Sequence, residues 1–224
     1  MGYYVRTTKI LLHRLVHDRA CDALERWPTG EARTVAESDV VGPSGGPRDR
    51  RYEAFPRLPL LWALEALNIR PEEFSFVDYG AGRGRALLTA ARLPFARCVG
   101  VEYSAALAAE AADNIAGHPK DGLACRDVAV VHANAVDFEP PPGNLVLFFY
   151  NPFGARTLER VAERITAPCP AGPRTIRVVH VNPSRYLLLS RRPDFRKLAL
   201  PLKARAKLSL LGVGPIDFFA VEGA

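Results

Sequence analysis

The chain has 224 residues, of which 48% are hydrophobic and 24% are charged. This length provides for one domain with a full core plus an extension, and the composition is that of an ordinary globular protein. No apolar run approaches the roughly 20 residues that a bilayer-spanning helix requires, so the sequence predicts no transmembrane segment.

The cysteines and the first residues give no sign of metal binding or export. The four cysteines form no C-x-x-C pair, and the five histidines are scattered. This pattern predicts neither a zinc site nor a disulfide scaffold and favours a reducing compartment. Basic side chains interrupt the first apolar stretch, which is not typical of a signal peptide, and we therefore expect a cytoplasmic protein.

The charge balance permits an acidic partner. The net charge is +6 and the isoelectric point is near 9.3, which is compatible with RNA binding. The densest basic stretches, residues 48–51 and 191–207, are interrupted by acidic or apolar residues. RNA binding and a mildly basic solvated surface both remain interpretations of this pattern.

The first 50 residues form a segment distinct from the rest of the chain. Residues 5–26 have apolar positions at a helical period, and residues 41–47 are rich in glycine and proline. We therefore predict a helical extension with a linker over residues 1–50 and a main domain over residues 51–224.

The main domain alternates apolar, strand-like segments with helical patterns. Strands are predicted near 74–79, 97–102, 127–132, 145–150 and 175–181. Helices are predicted near 57–68, 84–93, 105–116 and 155–166. Two further segments, 195–200 and 216–221, are candidates for a closing antiparallel pair, with Gly212 and Gly214 marking a turn between them. This order predicts an α/β fold with a doubly wound, mostly parallel sheet.

A glycine-rich motif follows the first of these strands. The strand ends at Asp78 and leads into Gly80, Ala81, Gly82 and Gly84. Glycine tolerates positive φ and lets the backbone approach a ligand closely, and the next helix presents free N–H groups to an anion. A dinucleotide fingerprint would place its third glycine at position 85, so the spacing differs from that pattern.

This Asp-x-Gly-x-Gly-x-Gly form resembles the first motif of class I S-adenosylmethionine (SAM)-dependent methyltransferases, over roughly residues 52–185. The order of the further motifs is similar to a bacterial-type group of that class. The resemblance implies a Rossmann-like, seven-stranded sheet, SAM as the cofactor and methyl transfer as the reaction, but it does not imply the acceptor. It also implies that Glu102, at the end of the second strand, binds the ribose, and that Asp78 orients the loop or meets the cofactor's amino-acid moiety.

The adenine site is expected after the next strand. In the family an Asp commonly stands where this chain has Asn134, and the next backbone N–H, here that of Ala135, meets a ring nitrogen. Asn134 keeps an acceptor oxygen but lacks the charge, and Asp137 is the nearby alternative. Tyr103 lies next to Glu102 and is a candidate for the adenine face.

The fourth core strand runs into Asn151, Pro152 and Phe153. The segment resembles the Asn/Asp-Pro-Pro-Phe/Tyr motif of amino-group methyltransferases, with one proline fewer, and the resemblance implies that it faces the transferring methyl group. An amine needs its N–H groups held by acceptors so that its lone pair points at the methyl. Phe153 is a candidate to stabilise the developing cation. The alternative is that Asn-Pro only ends a buried strand.

Five other polar residues are also considered. Asn182 follows the fifth strand and, with His180, is a candidate for the acceptor pocket, although His180 and His132 fit better as partly buried strand histidines. Arg83 and Arg85 are expected to face solvent on the new helix, or one of them to pair with a carboxylate.

The sequence as a whole favours a SAM-dependent methyltransferase acting on a nitrogen of a protein side chain or small molecule. An RNA base methyltransferase is the alternative that the basic isoelectric point supports. A non-catalytic SAM-binding module is a second alternative, and an NAD(P) oxidoreductase is a third. The sequence indicates no membrane partner and no metal, and it leaves the oligomeric state open.

Overall fold

The computed structural model describes residues 33–34, 51–150, 152–183, 187–210 and 214–221. The helix expected over residues 5–26 therefore lies outside the described residues. The strand β1 (Arg33–Thr34), in the predicted extension, pairs antiparallel with β2 (Arg51–Tyr52), at the start of the predicted main domain. Among the helices of the described residues, none is long and apolar enough to cross a membrane.

The main domain is built on a seven-stranded sheet. In chain order its strands are β3 (Phe74–Tyr79), β4 (Arg97–Glu102), β5 (Val128–His132), β6 (Asn144–Tyr150), β7 (Ile176–Val181), β8 (Phe195–Lys197) and β9 (Ile216–Val221). Their spatial order is β5-β4-β3-β6-β7-β9-β8. The first five run parallel, and β9 is antiparallel to both of its neighbours. This confirms the predicted α/β Rossmann-like fold with a mostly parallel seven-stranded sheet.

In the described part of the chain the α-helices are α1 (Arg57–Ala66), α2 (Arg85–Ala90), α3 (Ala105–Gly117), α4 (Ala155–Thr166), α5 (Leu188–Arg191) and α6 (Leu202–Leu210). Short 3₁₀ turns occupy Pro71–Glu73 and Lys120–Gly122. Strands such as β3 have every residue buried, because one apolar core forms beneath α1 and α2 and a second forms beneath α4. A parallel strand covered on both faces is expected to be continuously apolar, as these segments are.

Some elements differ from the expectation. Helix α2 ends at Ala90, earlier than predicted, and Ala91 closes it. A helix, α6, occupies the connection between β8 and β9 where only a turn was expected. Its leucines do not share one face, since Leu208 is buried while Leu202 and Leu210 are 80% and 70% exposed. Without an apolar stripe, the helical period is weak in the sequence.

Gly100, in the middle of β4, is required by close packing. A Cβ at this position would lie 2.5 Å from the Cβ of Ala81 and 2.7 Å from the Cδ1 of Leu87. The contacts join the second strand to the residue between the first two loop glycines and to the helix that follows them. The absence of a side chain at Gly100 therefore allows the glycine loop and α2 to pack directly against β4.

We expect Gly100→Ala to lower the free energy of unfolding by about 1–3 kcal/mol, because overpacking displaces the loop or α2. Gly117→Ala is the matched control, since a Cβ there meets no heavy atom within 4 Å and should be neutral or slightly stabilising. Urea unfolding followed by circular dichroism measures both. Equal stability of the two variants would show that β4 relaxes around the added methyl group.

Candidate functional site

The predicted site residues gather at the edge of the sheet where the parallel strands end. Strand β3 lies between β4 and β6, so the chain crosses the sheet in opposite directions on its two sides. In doubly wound sheets this switch point opens a crevice at the carboxyl ends of the strands. The loops after β3, β4 and β6 meet there.

The glycine loop follows β3 and adopts a backbone that only glycine takes easily. The φ angles of Gly80, Gly82 and Gly84 are +85°, +52° and +82°. The loop is fixed to the neighbouring strand because the N–H groups of Gly80 and Ala81 both donate to the carbonyl oxygen of Val101, at 2.9 and 3.1 Å. The alternate glycines are therefore needed for the left-handed conformation of the loop.

The carboxylate of Glu102 holds the glycine loop and the start of α3 together. Its Oε2 accepts from the N–H of Gly82 at 2.7 Å, and its Oε1 accepts from the N–H of Ser104 at 2.9 Å. Ser104 in turn caps α3, since its Oγ accepts from the N–H of Leu107 at 3.3 Å. Burial raises the pKa of Glu102, while the N–H groups of Ser104, Gly82 and Tyr103 act in the opposite direction.

Asp78 is the second buried acid of the site, with 3% of its surface exposed. Burial, and to a lesser extent the nearby charge of Glu102, raises its pKa from 3.8 to about 8. In the cofactor-free protein the Asp78 carboxyl is therefore largely protonated at neutral pH. A cation placed beside it would favour the ionised form.

The segment after β5 forms a tight turn. The Oδ1 of Asn134 accepts from the N–H of Val136 at 3.2 Å, and its carbonyl oxygen accepts from the N–H of Asp137 at 2.9 Å. Ala135 is buried and Asp137 is exposed. The Asn134 amide oxygen, predicted to accept from adenine, thus already has a partner within the turn, although a second lone pair is available.

The residues flanking the expected adenine face lie close together. Tyr103 is half-buried, and its carbonyl oxygen is 3.3 Å from the Nε2 of His132. The expectation of a partly buried His132 was wrong, because this last residue of the edge strand β5 is exposed. An edge strand is covered on one side only, and its end has no neighbour beyond it.

The segment after β6 contacts the glycine loop directly. Asn151 lies outside the described residues. Its neighbour Pro152 packs so closely that a Cβ on Gly80 would lie 2.8 Å from the Pro152 Cβ. Phe153 packs edge-to-face on Tyr79 and on Phe149, with ring centroids 6.3 Å apart in both pairs. The structure therefore places Pro152 against the glycine loop and Phe153 against the ends of β3 and β6.

The arginines after the glycines do not face solvent as expected. Arg83 pairs with Glu110 of α3, with its Nε 2.7 Å from Oε2, as the alternative interpretation proposed. Arg85 is buried, with 2% of its surface exposed, so the expectation of a solvent-facing side chain was wrong for this residue. Helix α2 is covered by α1 and by the sheet, and all six of its residues are buried.

The end of β7 lies on the same edge. His180 is more deeply buried than expected, and its Nδ1 has no hydrogen-bond partner among the described residues. Burial lowers its pKa to about 4, with Asp217 on the adjacent strand acting in the opposite direction. Asn182 has a φ of +56°, and its N–H donates to the carbonyl oxygen of Pro215 at 2.8 Å.

Two features of the site were not anticipated. The sequence motif did not single out Gly100, although a glycine two residues before a strand-ending acid is a signal of close backbone approach. The contact of Pro152 with Gly80 joins residues far apart in the chain, and no local sequence pattern predicts it. The remaining cofactor residues stay predictions, since no ligand contact tests them.

Comparison with known proteins relates the fold to methyltransferases. No family profile and no curated protein matches the chain. Among solved structures, a geranyl diphosphate methyltransferase in complex with GPP and sinefungin has 14% identity and a TM-score of 0.50, covering 75% of this chain and 79% of that one. This similarity establishes the fold, which is the Rossmann-like α/β fold of that methyltransferase.

Two rRNA methyltransferases are also similar. The 23S rRNA methyltransferase ErmE has 18% identity over 75% of this chain, with a TM-score of 0.45. A T. thermophilus 16S rRNA methyltransferase in complex with AdoMet and guanosine has 20% identity over 77%, with a TM-score of 0.48. The matches span 66% and 44% of the lengths of those two chains.

We expect Asp78→Asn to change how stability depends on pH. The Asp78 carboxyl has a pKa of 3.8 in the unfolded chain and of about 8 in the folded chain. Between these two pH values only the folded chain keeps the proton, so the free energy of unfolding falls as the pH rises. The variant lacks this loss and should exceed the wild type in unfolding free energy at alkaline pH. Urea unfolding of the cofactor-free protein from about pH 5 to pH 9 measures the difference.

The exposed carboxylate of Asp137 provides the control for this experiment. Asp137→Asn makes the same substitution at an exposed aspartate and leaves the buried acid in place. It should leave the wild-type pH dependence in place. Parallel pH profiles for wild type and Asp78→Asn would mean that the Asp78 carboxyl is solvated in solution.

Proposed function

We propose that this chain is a SAM-dependent methyltransferase whose site is the crevice between the loops after β3, β4 and β6. The observation that carries the proposal is the buried Glu102 carboxylate, which ends β4 and accepts from the N–H of Gly82 in a loop of left-handed glycines. A carboxylate held in this way has a fixed direction, and each of its oxygens can still accept a ribose hydroxyl.

The residues of the site match the parts of SAM in chemical type. The cofactor is a cationic amino acid joined to a nucleoside, and it supplies an electrophilic methyl group on a sulfonium. Asp78 lies buried beside the glycine loop, where a bound ammonium group would favour its ionised form. Glu102 accepts from the ribose diol, and the turn of Asn134 and Ala135 offers an amide edge and a backbone N–H to adenine.

A nicotinamide dinucleotide fits the same residues less well. In the dinucleotide pattern a glycine at position 85 allows close packing of the helix on the strand. Here that position is Arg85, whose side chain is buried within the helix layer. We therefore prefer SAM to NAD(P) as the ligand of the loop.

A nitrogen acceptor suits the residues after β6. A neutral amine already has a free lone pair and needs no proton removed before attack, so orientation is enough for an acceptor bound in that form. The Asn151 side chain and a backbone carbonyl would hold its N–H groups. Phe153, fixed edge-to-face against Tyr79 and Phe149, offers a ring face to the cation that develops on the nitrogen. The acceptor class that fits is an amine of a protein side chain, a small molecule or a nucleic-acid base.

One observation favours a second candidate, a SAM-binding module without catalysis. The Oδ1 of Asn134 is engaged by the N–H of Val136, which leaves less capacity for adenine than a carboxylate would give. Such a module would bind SAM and show no turnover on any acceptor. Turnover on a labelled-methyl screen of lysate protein, RNA and metabolites would exclude it.

The proposal is tested by calorimetric titration of the purified chain with SAM and S-adenosylhomocysteine, with NAD and NADP as controls. We expect micromolar binding of the first two and none of the nicotinamides. Glu102→Ala should weaken SAM binding by about 1–3 kcal/mol, because charged hydrogen bonds to the ribose are lost. Unchanged affinity in this variant would remove Glu102 from the ribose site, and silent SAM titrations of the wild type would refute the proposal.

The role of the motif after β6 is tested separately. Asn151→Ala should leave the dissociation constant of SAM unchanged and lower the turnover number, because the residue would orient the acceptor and not the cofactor. The measurement pairs calorimetry with labelled-methyl transfer to an acceptor found in the screen. A loss of SAM binding would instead give Asn151 a structural role in the loop.

A further inference from the structure

The positive charge of this chain is concentrated in one segment. Residues 187–210 contain seven basic side chains and one acidic side chain, a net charge of +6, which equals the net charge of the whole chain. The other residues contain 23 basic and 23 acidic side chains and are neutral overall. The surplus is therefore a local property, although it is interrupted along the sequence.

The later part of this segment lies at the edge of the candidate site. Val181, the last residue of β7, pairs with Ile216, and the N–H of Leu198 donates to the carbonyl oxygen of Phe218 at 2.7 Å. Strand β8 therefore runs towards the edge where β7 ends, and β9 begins at that edge. Helix α6, which connects them, leaves the sheet on the same edge as the glycine loop.

Helix α6 is anchored on one side and open on the other. Leu208 is buried in the core shared with α1. The Nζ of Lys207 lies 2.8 Å from Glu65 Oε2 and 4.2 Å from the ring centroid of Trp62, both on α1. Lys203, one helical turn before Lys207, and Arg205 are exposed. The contacts of Lys207 and Leu208 with α1 and the core therefore hold the exposed Lys203 and Arg205 in a fixed position.

Two arginines of the sheet lie away from the site edge. Arg177 of β7 and Arg196 of β8 are both paired in register with Ala220, towards the amino end of β7. Lys207 is already paired with Glu65. We therefore define the basic surface as Lys203 and Arg205, the exposed cations of α6.

The composition of this surface favours a polyphosphate over a lipid bilayer. An interfacial helix needs an apolar face that inserts among the acyl chains. In the part of the chain that the structure describes, the exposed large apolar side chains are four aliphatic residues, none of them aromatic, and only Leu202 and Leu210 lie on α6. Phosphate neutralisation needs only cations that are free to approach, and arginine binds phosphate oxygens in a bidentate manner.

We propose that the basic surface binds the phosphate backbone of RNA and holds a base at the site edge as the methyl acceptor. That the surface binds RNA is argued from the charge distribution alone. That an RNA base accepts the methyl group rests on the proposed function. Since the described residues include no large exposed aromatic ring that could stack on bases, the surface positions the RNA through its phosphates and leaves base selection to the site.

The test measures binding of a labelled single-stranded RNA of about 20 nucleotides to the full chain at several salt concentrations. We expect Lys203→Gln/Arg205→Gln to weaken binding about tenfold or more at low salt and to reduce the slope of log affinity against log salt by about 1 to 1.5. Arg156→Gln/Arg160→Gln removes the same charge from exposed positions of α4, on the opposite face, and should change neither quantity.

Three readouts decide between the outcomes. Equal RNA affinity of the two double variants, or no RNA binding by the wild type, overturns the proposal. The same proteins are also tested with vesicles that contain phosphatidylserine. If Lys203→Gln/Arg205→Gln weakens vesicle binding but not RNA binding, the proposal is overturned as well. SAM calorimetry on the wild type and both double variants separates this result from the proposed function. If the wild type binds RNA through α6 but does not bind SAM, the basic surface is an RNA-binding surface and the proposed methyltransferase function is refuted.

Discussion

The carboxylate of Glu102 is the contact on which the site depends. It is buried, yet it accepts from the N–H of Gly82 on one side and from that of Ser104 on the other. A buried charge is stable only where such donors compensate for the lost water. The first donor lies in the glycine loop, and the second belongs to the residue that caps α3. Because Glu102 is the last residue of β4, the position of β4 sets the positions of the glycine loop and of the start of α3.

The sheet explains why these groups meet. Parallel strands bring their carboxyl ends to one edge, and the reversal of strand order beside β3 opens that edge between β4 and β6. Strand β9 begins at the same edge directly after α6, and the N–H of Asn182 donates to the carbonyl oxygen of Pro215 at the junction. The glycine loop, the loop after β6 and the start of β9 thus lie at one edge of the sheet.

The parts of this arrangement that follow from local pattern could be predicted, and those that follow from packing could not. The bounds of β3 and β4 agree with the sequence because buried parallel strands are continuously apolar and end at polar residues. Helix α6 was missed because its leucines are not on one face. The burial of Arg85 depends on α1 covering α2, and the burial of His180 depends on strands distant in the chain. Local sequence does not encode these contacts.

The contact of Gly80 with Pro152 links two segments that separate motifs would treat as independent. Because the Cβ of Pro152 occupies the space that a Cβ on Gly80 would need, Gly80 cannot gain a side chain without moving the segment after β6. Related sequences that carry a side chain at the first glycine should therefore show compensating change in the segment after β6. Divergence in acceptor preference would then be constrained by the geometry of cofactor recognition, and the two loops would evolve as one unit.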